Sequence, residues 1–166
     1  DDNDVPVGQV GEIAMRGPQV MLGYWNRPEE TAAALRNGWL HTGDAGRMDE
    51  DGYLYVVDRV KDMIITGGEN VYSAEVEDAL AKTPGIAASA VVAAKDDEWG
   101  ERVHAFIVPA PGASPTLDEI QAHCRTMIAG YKVPRSMTII DAFPLSPAGK
   151  ILKHELRARL RDAGGQ

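Results

Sequence analysis

Four short stretches of this sequence carry side chains whose types and spacing could do chemistry beyond building a fold. In GWLHTGDAG (38–46), Asp44 follows a Thr-Gly turn. Such an aspartate either forms the turn itself or accepts hydrogen bonds from a vicinal diol, as carboxylates do for ribose. In DRVKDMIITGGENVY (58–72), Asp58, Arg59, Lys61 and Asp62 lead into apolar Met63, Ile64 and Ile65, and Gly67-Gly68 follow. The charges fit a solvated face and the glycines a hairpin turn. Paired glycines would equally let another molecule approach the backbone closely. In DDEWGERV (96–103), Trp99 occupies a polar turn, where an indole either caps a sheet or lines a ligand groove. In PLSPAGKILKHELR (144–157), Lys150 stands behind a Pro-, Ser- and Gly-rich loop. It is either solvated or a positive charge held toward an anion.

Several chemistries lack support. The phosphate-binding patterns GxGxxG and GxxxxGK[ST] are absent. Cys124 is the only cysteine, which rules out an internal disulfide and a cysteine-based metal site and makes a reducing, cytoplasmic setting the default expectation. His104, Cys124 and Asp141 have neither triad nor metal-ligand spacing, so no metal site is expected. The 17 Lys and Arg against 25 Asp and Glu give a net charge of −8, and an acidic chain does not suit a nucleic-acid or anionic-membrane partner. No apolar run approaches the roughly 20 residues that span a bilayer, so no transmembrane segment is expected. No signal peptide is visible, and DDNDVPVGQVGEI reads as the middle of a longer protein.

The elements that must position these residues fall into two styles. The 166 residues, 44% hydrophobic and 25% charged, suffice for a domain or somewhat more with a real core. GQVGEIAMRGP (8–18) predicts a strand between turns, with Val10, Ile13 and Met15 as its short apolar positions. RPEETAAALRNG (27–38) predicts a short helix opened by Pro28 and stopped by Gly38. WLHTGDAGRMDEDGYLYVVDR (39–59) predicts a strand, a loop and a hairpin turned at Asp51-Gly52. From Lys61 the order becomes β-hairpin, α, β, β, α, β, loop, α. The first of those helices has Ser73 as N-cap and Gly85 beyond its end. The second runs from a Thr116–Glu119 capping box to Gly130. The last carries Ile151, Leu152, Leu156 and Leu160 on one stripe. This is α+β, a small sheet with packed helices, and the boundary between the two styles falls near 58–62.

Together the four stretches, with GEIAMRGPQVMLGYW (11–25) and YKVP (131–134), occur in the order and at the separations of a known family. The chain resembles the C-terminal part of the adenylate-forming superfamily, most like fatty-acyl and aryl-CoA synthetases, over residues 8–157. The resemblance implies that 1–60 is the distal part of a β-barrel subdomain ending a large N-terminal domain. It implies that 61–166 is a mobile α+β lid, a three-stranded sheet plus hairpin with flanking helices, pivoting near Lys61.

The same resemblance implies roles. Lys150 would be the catalytic lysine of adenylation, Asp44 and Arg59 nucleotide-binding residues, and Lys61 the hinge. Gly67, Gly68, Glu69 and Trp99 would border the pantetheine tunnel of coenzyme A, with Tyr131 and Arg135 near its nucleotide. The implied reaction is that of an AMP-forming acid–CoA ligase using ATP, a carboxylic acid and CoA. Mg²⁺, the phosphate loop and the acyl pocket would belong mainly to an N-terminal domain not among these residues. The segment alone is therefore expected to be inactive or only partly active. The spacing Pro144-x4-Gly149-Lys150 also resembles a lysine acetyltransferase target. Two alternatives stand beside this: an isolated non-catalytic binding module, and the end of a peptide-synthetase adenylation domain.

Overall fold

The computed structural model describes residues 3–163. The chain divides into two compact units, Asp1–Lys61 and Asp62–Gln166.

The first unit is built on one long strand. β1 (Val10–Met15) pairs antiparallel with β3 (Trp39–Met48), with an irregularity in register between Glu12 and Ala14. Between them lies α1 (Pro28–Ala34), which starts on Pro28 and carries Glu29 and Glu30 in its first turn, where acids suit the helix N-terminus. The sequence predicted this helix as far as Gly38, but Leu35–Arg36 already forms β2 and pairs with Leu40 and Trp39 of β3. Asn37 and Gly38 have φ of 54° and 79°, the left-handed pair of a two-residue hairpin turn. Gly38 is thus a hairpin glycine and not a helix stop. β4 (Leu54–Arg59) pairs with the second half of β3, from Asp44↔Arg59 to Met48↔Leu54. The predicted loop at Thr42-Gly43-Asp44 is therefore part of a continuous strand.

The result is an open four-stranded antiparallel sheet, β1-β3-β2 with β4 also on β3. Among the described residues of this unit, Ala45 is the one fully buried hydrophobic side chain, while Leu22, Trp25, Tyr53 and Val56 stand exposed. Such a sheet lacks a core of its own.

The second unit has a genuine core. β5 (Ile64–Thr66) and β6 (Glu69–Val71) form a hairpin over Gly67-Gly68, with φ of 59° and 84°. α2 (Ser73–Ala81) follows, then the long hairpin of β7 (Ile86–Asp96) and β8 (Gly100–Pro109). α3 is Leu117–Cys124, β9 is Ser136–Ile139 and α4 is Lys153–Ala163. β9 runs parallel to β8, from His104↔Ser136 to Ile107↔Ile139. The β5–β6 hairpin joins β8 at a single pair, Thr66↔Gly100. The unit is thus a three-stranded β7-β8-β9 sheet with an appended hairpin and flanking helices, an α+β fold.

Strand alternation sorts the side chains into two layers. Val91, Val103, Ala105 and Ile107 pack with Val76 and Leu80 of α2 and with Ile120 and Cys124 of α3. Ala90, Val92 and Phe106 pack with Leu156 of α4, joined by Leu160 and Ile151. α3 has the predicted capping box, Thr116 accepting from Glu119 N and Glu119 from Thr116 N. It ends at Cys124 rather than Gly130, because the Cys124 carbonyl accepts from both Met127 N and Ile128 N and closes a turn. Ser73 is not the N-cap of α2. Tyr72 holds that position, and the buried Ser73 hydroxyl accepts from Lys153 Nζ at 2.8 Å. Among the described residues, no helix is long and apolar enough to cross a membrane.

Candidate functional site

In the first unit the β3–β4 register sets Asp44 directly opposite Arg59. Arg59 Nε lies 2.8 Å from Asp44 Oδ1 and also donates to Gly43 O at 3.3 Å. Both side chains remain substantially exposed, so the carboxylate keeps an acceptor oxygen for solvent or a ligand. The backbone beneath them is tied down. Gly43 has φ of 73°, and Thr42 Oγ1 donates to Ile13 O while accepting from Asp44 N.

Glu12, which sequence reasoning did not single out, does most of this holding. Its Oε1 accepts from Gly43 N at 3.1 Å, and its Oε2 lies 2.9 Å from His41 Nδ1 and 3.3 Å from Arg36 Nη2. Partial burial alone would raise the Glu12 pKa. The His41 hydrogen bond, the Gly43 N–H and the charges outweigh it and hold the carboxyl below its ordinary value. Thirty-one positions separate Glu12 from Gly43, so no local pattern could show this contact.

In the second unit, Lys150 sits on a closed turn. Leu145 and Ile151 bridge antiparallel, Ser146 N donates to Lys150 O at 2.8 Å, and Gly149 N donates to Ser146 O at 2.8 Å. Ser146 Oγ accepts from Lys150 N, and Gly149 takes φ of 77°. The Pro, Ser and Gly residues therefore hold Lys150 out to solvent on a defined turn, exposed at the mouth of α4.

The glycine hairpin meets Trp99. Gly67 N donates to Trp99 O at 3.0 Å, and a Cβ on Gly67 would lie 2.6 Å from the indole Cε3. The ring thus rests flush on backbone that only glycine leaves clear. Its turn is fixed by Asp96 Oδ1, which accepts from Trp99 N and Glu98 N. The Arg135 guanidinium stacks 4.7 Å from the Trp99 ring. Gly67, Trp99 and Arg135 are therefore one surface, with Gly68 and Glu69 beside it in the hairpin. Tyr131 is on a separate turn, the 3₁₀ segment Gly130–Lys132, with Lys132 Nζ 5.7 Å from its ring. Lys132 is in turn anchored at 2.7 Å to both Glu75 oxygens. Lys61 is in the 3₁₀ turn Val60–Asp62, as the last residue of the first unit.

Two further contacts escape sequence reasoning. Asp62, buried, pairs with Arg157 of α4. Lys153 Nζ lies 2.7 Å from Glu77 Oε1, the atom that also accepts from Val91 N of the edge strand β7. Among the described residues, no three His, Cys, Asp or Glu side chains gather as a group that could hold a metal ion.

Comparison with known proteins bears on what this arrangement serves. Residues 75–150 match the AMP-binding enzyme C-terminal domain. A feruloyl-CoA synthase from Amycolatopsis sp is 54% identical over 155 residues, which are 93% of this chain and 32% of that protein. The fatty acid–[acyl-carrier-protein] ligase ScoC of Streptomyces coeruleorubidus is 47% identical over 156 residues, 94% of this chain and 30% of its own. Among solved structures, o-succinylbenzoate CoA synthetase from Bacillus subtilis, in complex with its acyl-adenylate intermediate, superposes with a TM-score of 0.84 at 39% identity. That match covers 92% of this chain and 31% of the other. The chain spans about a third of the length of the relatives it matches. Residues 75–150 thus match the C-terminal domain of AMP-binding enzymes, and nearly the whole chain is similar to about a third of each of these ligases and synthetases.

Proposed function

We propose that this chain is the C-terminal part of an ATP-dependent acid–CoA ligase. An N-terminal domain of the same protein supplies the phosphate loop, the acyl pocket and the Mg²⁺ site. A carboxylate oxygen attacks the α-phosphorus of ATP, pyrophosphate leaves, and acyl-AMP forms. The CoA sulfur then attacks the acyl carbon, AMP leaves, and the thiol proton passes to solvent. The observation that carries this reading is the 54% identity with a feruloyl-CoA synthase across 93% of the chain, spanning all the site residues named above.

Each residue has a physical part in it. Lys150, a compact charge on a flexible stem, lies between the attacking carboxylate and the α-phosphate. Bringing two anions together makes a cation there more stabilising in the transition state than before it. Asp44 accepts from the ribose hydroxyls, and Arg59 orients Asp44 while contacting the nucleotide. Lys61 is the pivot about which the second unit turns between the two steps, exchanging Lys150 for the Gly67–Trp99 surface. Flat backbone at Gly67 and Gly68, with Glu69, borders the narrow thiol channel, and Tyr131 and Arg135 meet the CoA nucleotide.

The single cysteine and the demand for ATP and CoA both fit a cytoplasmic setting. Lys150, exposed on its turn, also suits a lysine acetyltransferase, and acetylation would remove the charge that adenylation needs. Mass spectrometry of Lys150 from cells with and without deacetylase tests this, and an absence of acetyl-lysine in both removes it.

The likeness to a carrier-protein ligase favours a second reading, in which the acceptor thiol is carried by a protein. The full-length protein, given ATP, ferulate or a fatty acid, and either CoA or a phosphopantetheinylated carrier, separates the two. AMP released with acyl-CoA supports the first reading, and acyl-carrier alone supports the second. No AMP from any aryl or fatty acid rejects both.

A further inference from the structure

Helix α4 follows Lys150 directly, and two ion pairs hold one of its faces. Lys153, at its first turn, reaches Ser73 Oγ at 2.8 Å and Glu77 Oε1 at 2.7 Å, both on α2. Arg157 lies four residues on, one helical turn along the same face. It pairs with Asp62, the first residue of the second unit and the immediate neighbour of Lys61. Between them Leu156 is fully buried against Ala90, Val92 and Phe106. Asp62 itself is only 8% exposed, an unusual place for a carboxylate unless its partner is fixed.

From these contacts we propose that the Asp62–Arg157 pair is a positioning device for adenylation, which ties the helix behind Lys150 to the chain as it leaves the pivot. Asp62 and Arg157 are 95 residues apart in sequence, so the pair closes the second unit from its first residue to its last helix. A turn about Lys61 then carries Lys150 as part of one rigid body. Without the pair, small changes at the pivot would no longer reach α4 intact, and Lys150 would arrive displaced. The thioester step draws on the Gly67–Trp99 surface, at the β5–β6 turn and just before β8, whereas α4 packs on β8 at Phe106, seven residues beyond Trp99. This inference rests on the ligase reading and adds to it two residues that touch neither substrate nor nucleotide.

The test uses the full-length protein with Arg157→Met and Asp62→Asn, and Lys150→Ala as the reference. Adenylation is followed by pyrophosphate exchange, and thioester formation by acyl-CoA release from supplied acyl-AMP. Displacement of a catalytic group by about an ångström lowers adenylation kcat roughly ten- to a hundredfold, with KM for ATP unchanged. Thioester formation stays within about twofold of the parent. The exchanged pair, Asp62→Arg with Arg157→Asp, regains adenylation. If Arg157→Met does not fold, Arg157→Lys is measured instead, and its adenylation loss must again exceed its thioester loss. Equal losses in both steps, or none, overturn the inference. If Lys150→Ala loses adenylation and the folded Arg157 variant does not, only the inference fails. If Lys150→Ala itself keeps full adenylation, the ligase role of Lys150 fails first.

Discussion

Asp44 and Arg59 face each other across paired strands, with Arg59 Nε 2.8 Å from Asp44 Oδ1 and both groups open to solvent. A pair this exposed contributes about 0–1 kcal/mol to stability. Its geometry matters more than its strength, because it aims one carboxylate outward from a backbone fixed by Thr42 and Gly43. Asp44→Ala should raise KM for ATP roughly ten- to a hundredfold, the scale of losing charge-assisted hydrogen bonds. The thermal midpoint should move by only a few degrees, about what 1 kcal/mol produces. A large fall in midpoint with KM unchanged would make Asp44 a structural residue.

Glu12 supports that turn from β1, and its removal strips an acceptor from Gly43 N and His41 together. Glu12→Ala should raise KM for ATP several-fold, less than Asp44→Ala, because Asp44 itself remains. Its carboxyl is held below the ordinary glutamate range, so the support is complete above that range. It is lost only as pH falls through the depressed value. Pyrophosphate-exchange kinetics of the two variants side by side check the ranking.

Gly67→Ala places a methyl 2.6 Å from the Trp99 ring, at φ of 59° where an L side chain costs about 1–2 kcal/mol. The indole must leave, and its stack with Arg135 goes with it. Thioester formation from supplied acyl-AMP should slow about tenfold while adenylation stays within about twofold. Intrinsic fluorescence should shift in this variant, and should not when Trp99 is already Phe. Equal losses in both steps would detach the glycine hairpin from the thiol channel.

His104 gives the second unit a pH dependence of known sign. It is buried, with Nδ1 2.8 Å from Ser136 Oγ, Nε2 3.0 Å from Thr138 Oγ1, and its ring edge-on to Phe106. Burial first, and the Arg102 charge second, push its pKa from 6.5 down to about 4. Below pH 6.5 the unfolded chain therefore takes up a proton that the folded chain refuses. Stability is complete above 6.5 and declines as pH falls toward 4, by roughly 3 kcal/mol over that window. Urea midpoints from pH 7.5 to 4 should show a steeper decline for the parent than for His104→Gln. Parallel declines would contradict this origin.

Much of the second unit was legible in the sequence because its signals are local. The Gly67-Gly68 turn, the Thr116–Glu119 box and the apolar runs of β7 and β8 each specify their element within a few residues. The helix predicted over 27–38 overruns because the glycine of the Asn37-Gly38 pair suits a helix stop as well as a turn. That pair instead closes a hairpin, with both residues left-handed. Serine before a helix is usually its cap, whereas the Ser73 hydroxyl here accepts from Lys153, 80 positions away. Asp44, Gly67-Gly68, Trp99 and Lys150 stood out by residue type, while their roles and the choice of Glu69, Tyr131 and Arg135 rest on the family resemblance. The contacts of Glu12 with Gly43, beneath Asp44, and of Arg157 with Asp62 join partners 31 and 95 positions distant, and no pattern in one sequence encodes such contacts.

The central claim is that the lysine on the turn before α4 performs adenylation, and one measurement bears on it most directly. Acid-dependent pyrophosphate exchange is compared in the full-length parent and Lys150→Ala, with acyl-CoA formation from supplied acyl-AMP run in parallel. The account predicts a loss of exchange of roughly a hundredfold or more, the scale of removing one transition-state charge contact, with the second step near the parent rate. Full exchange in Lys150→Ala would contradict it.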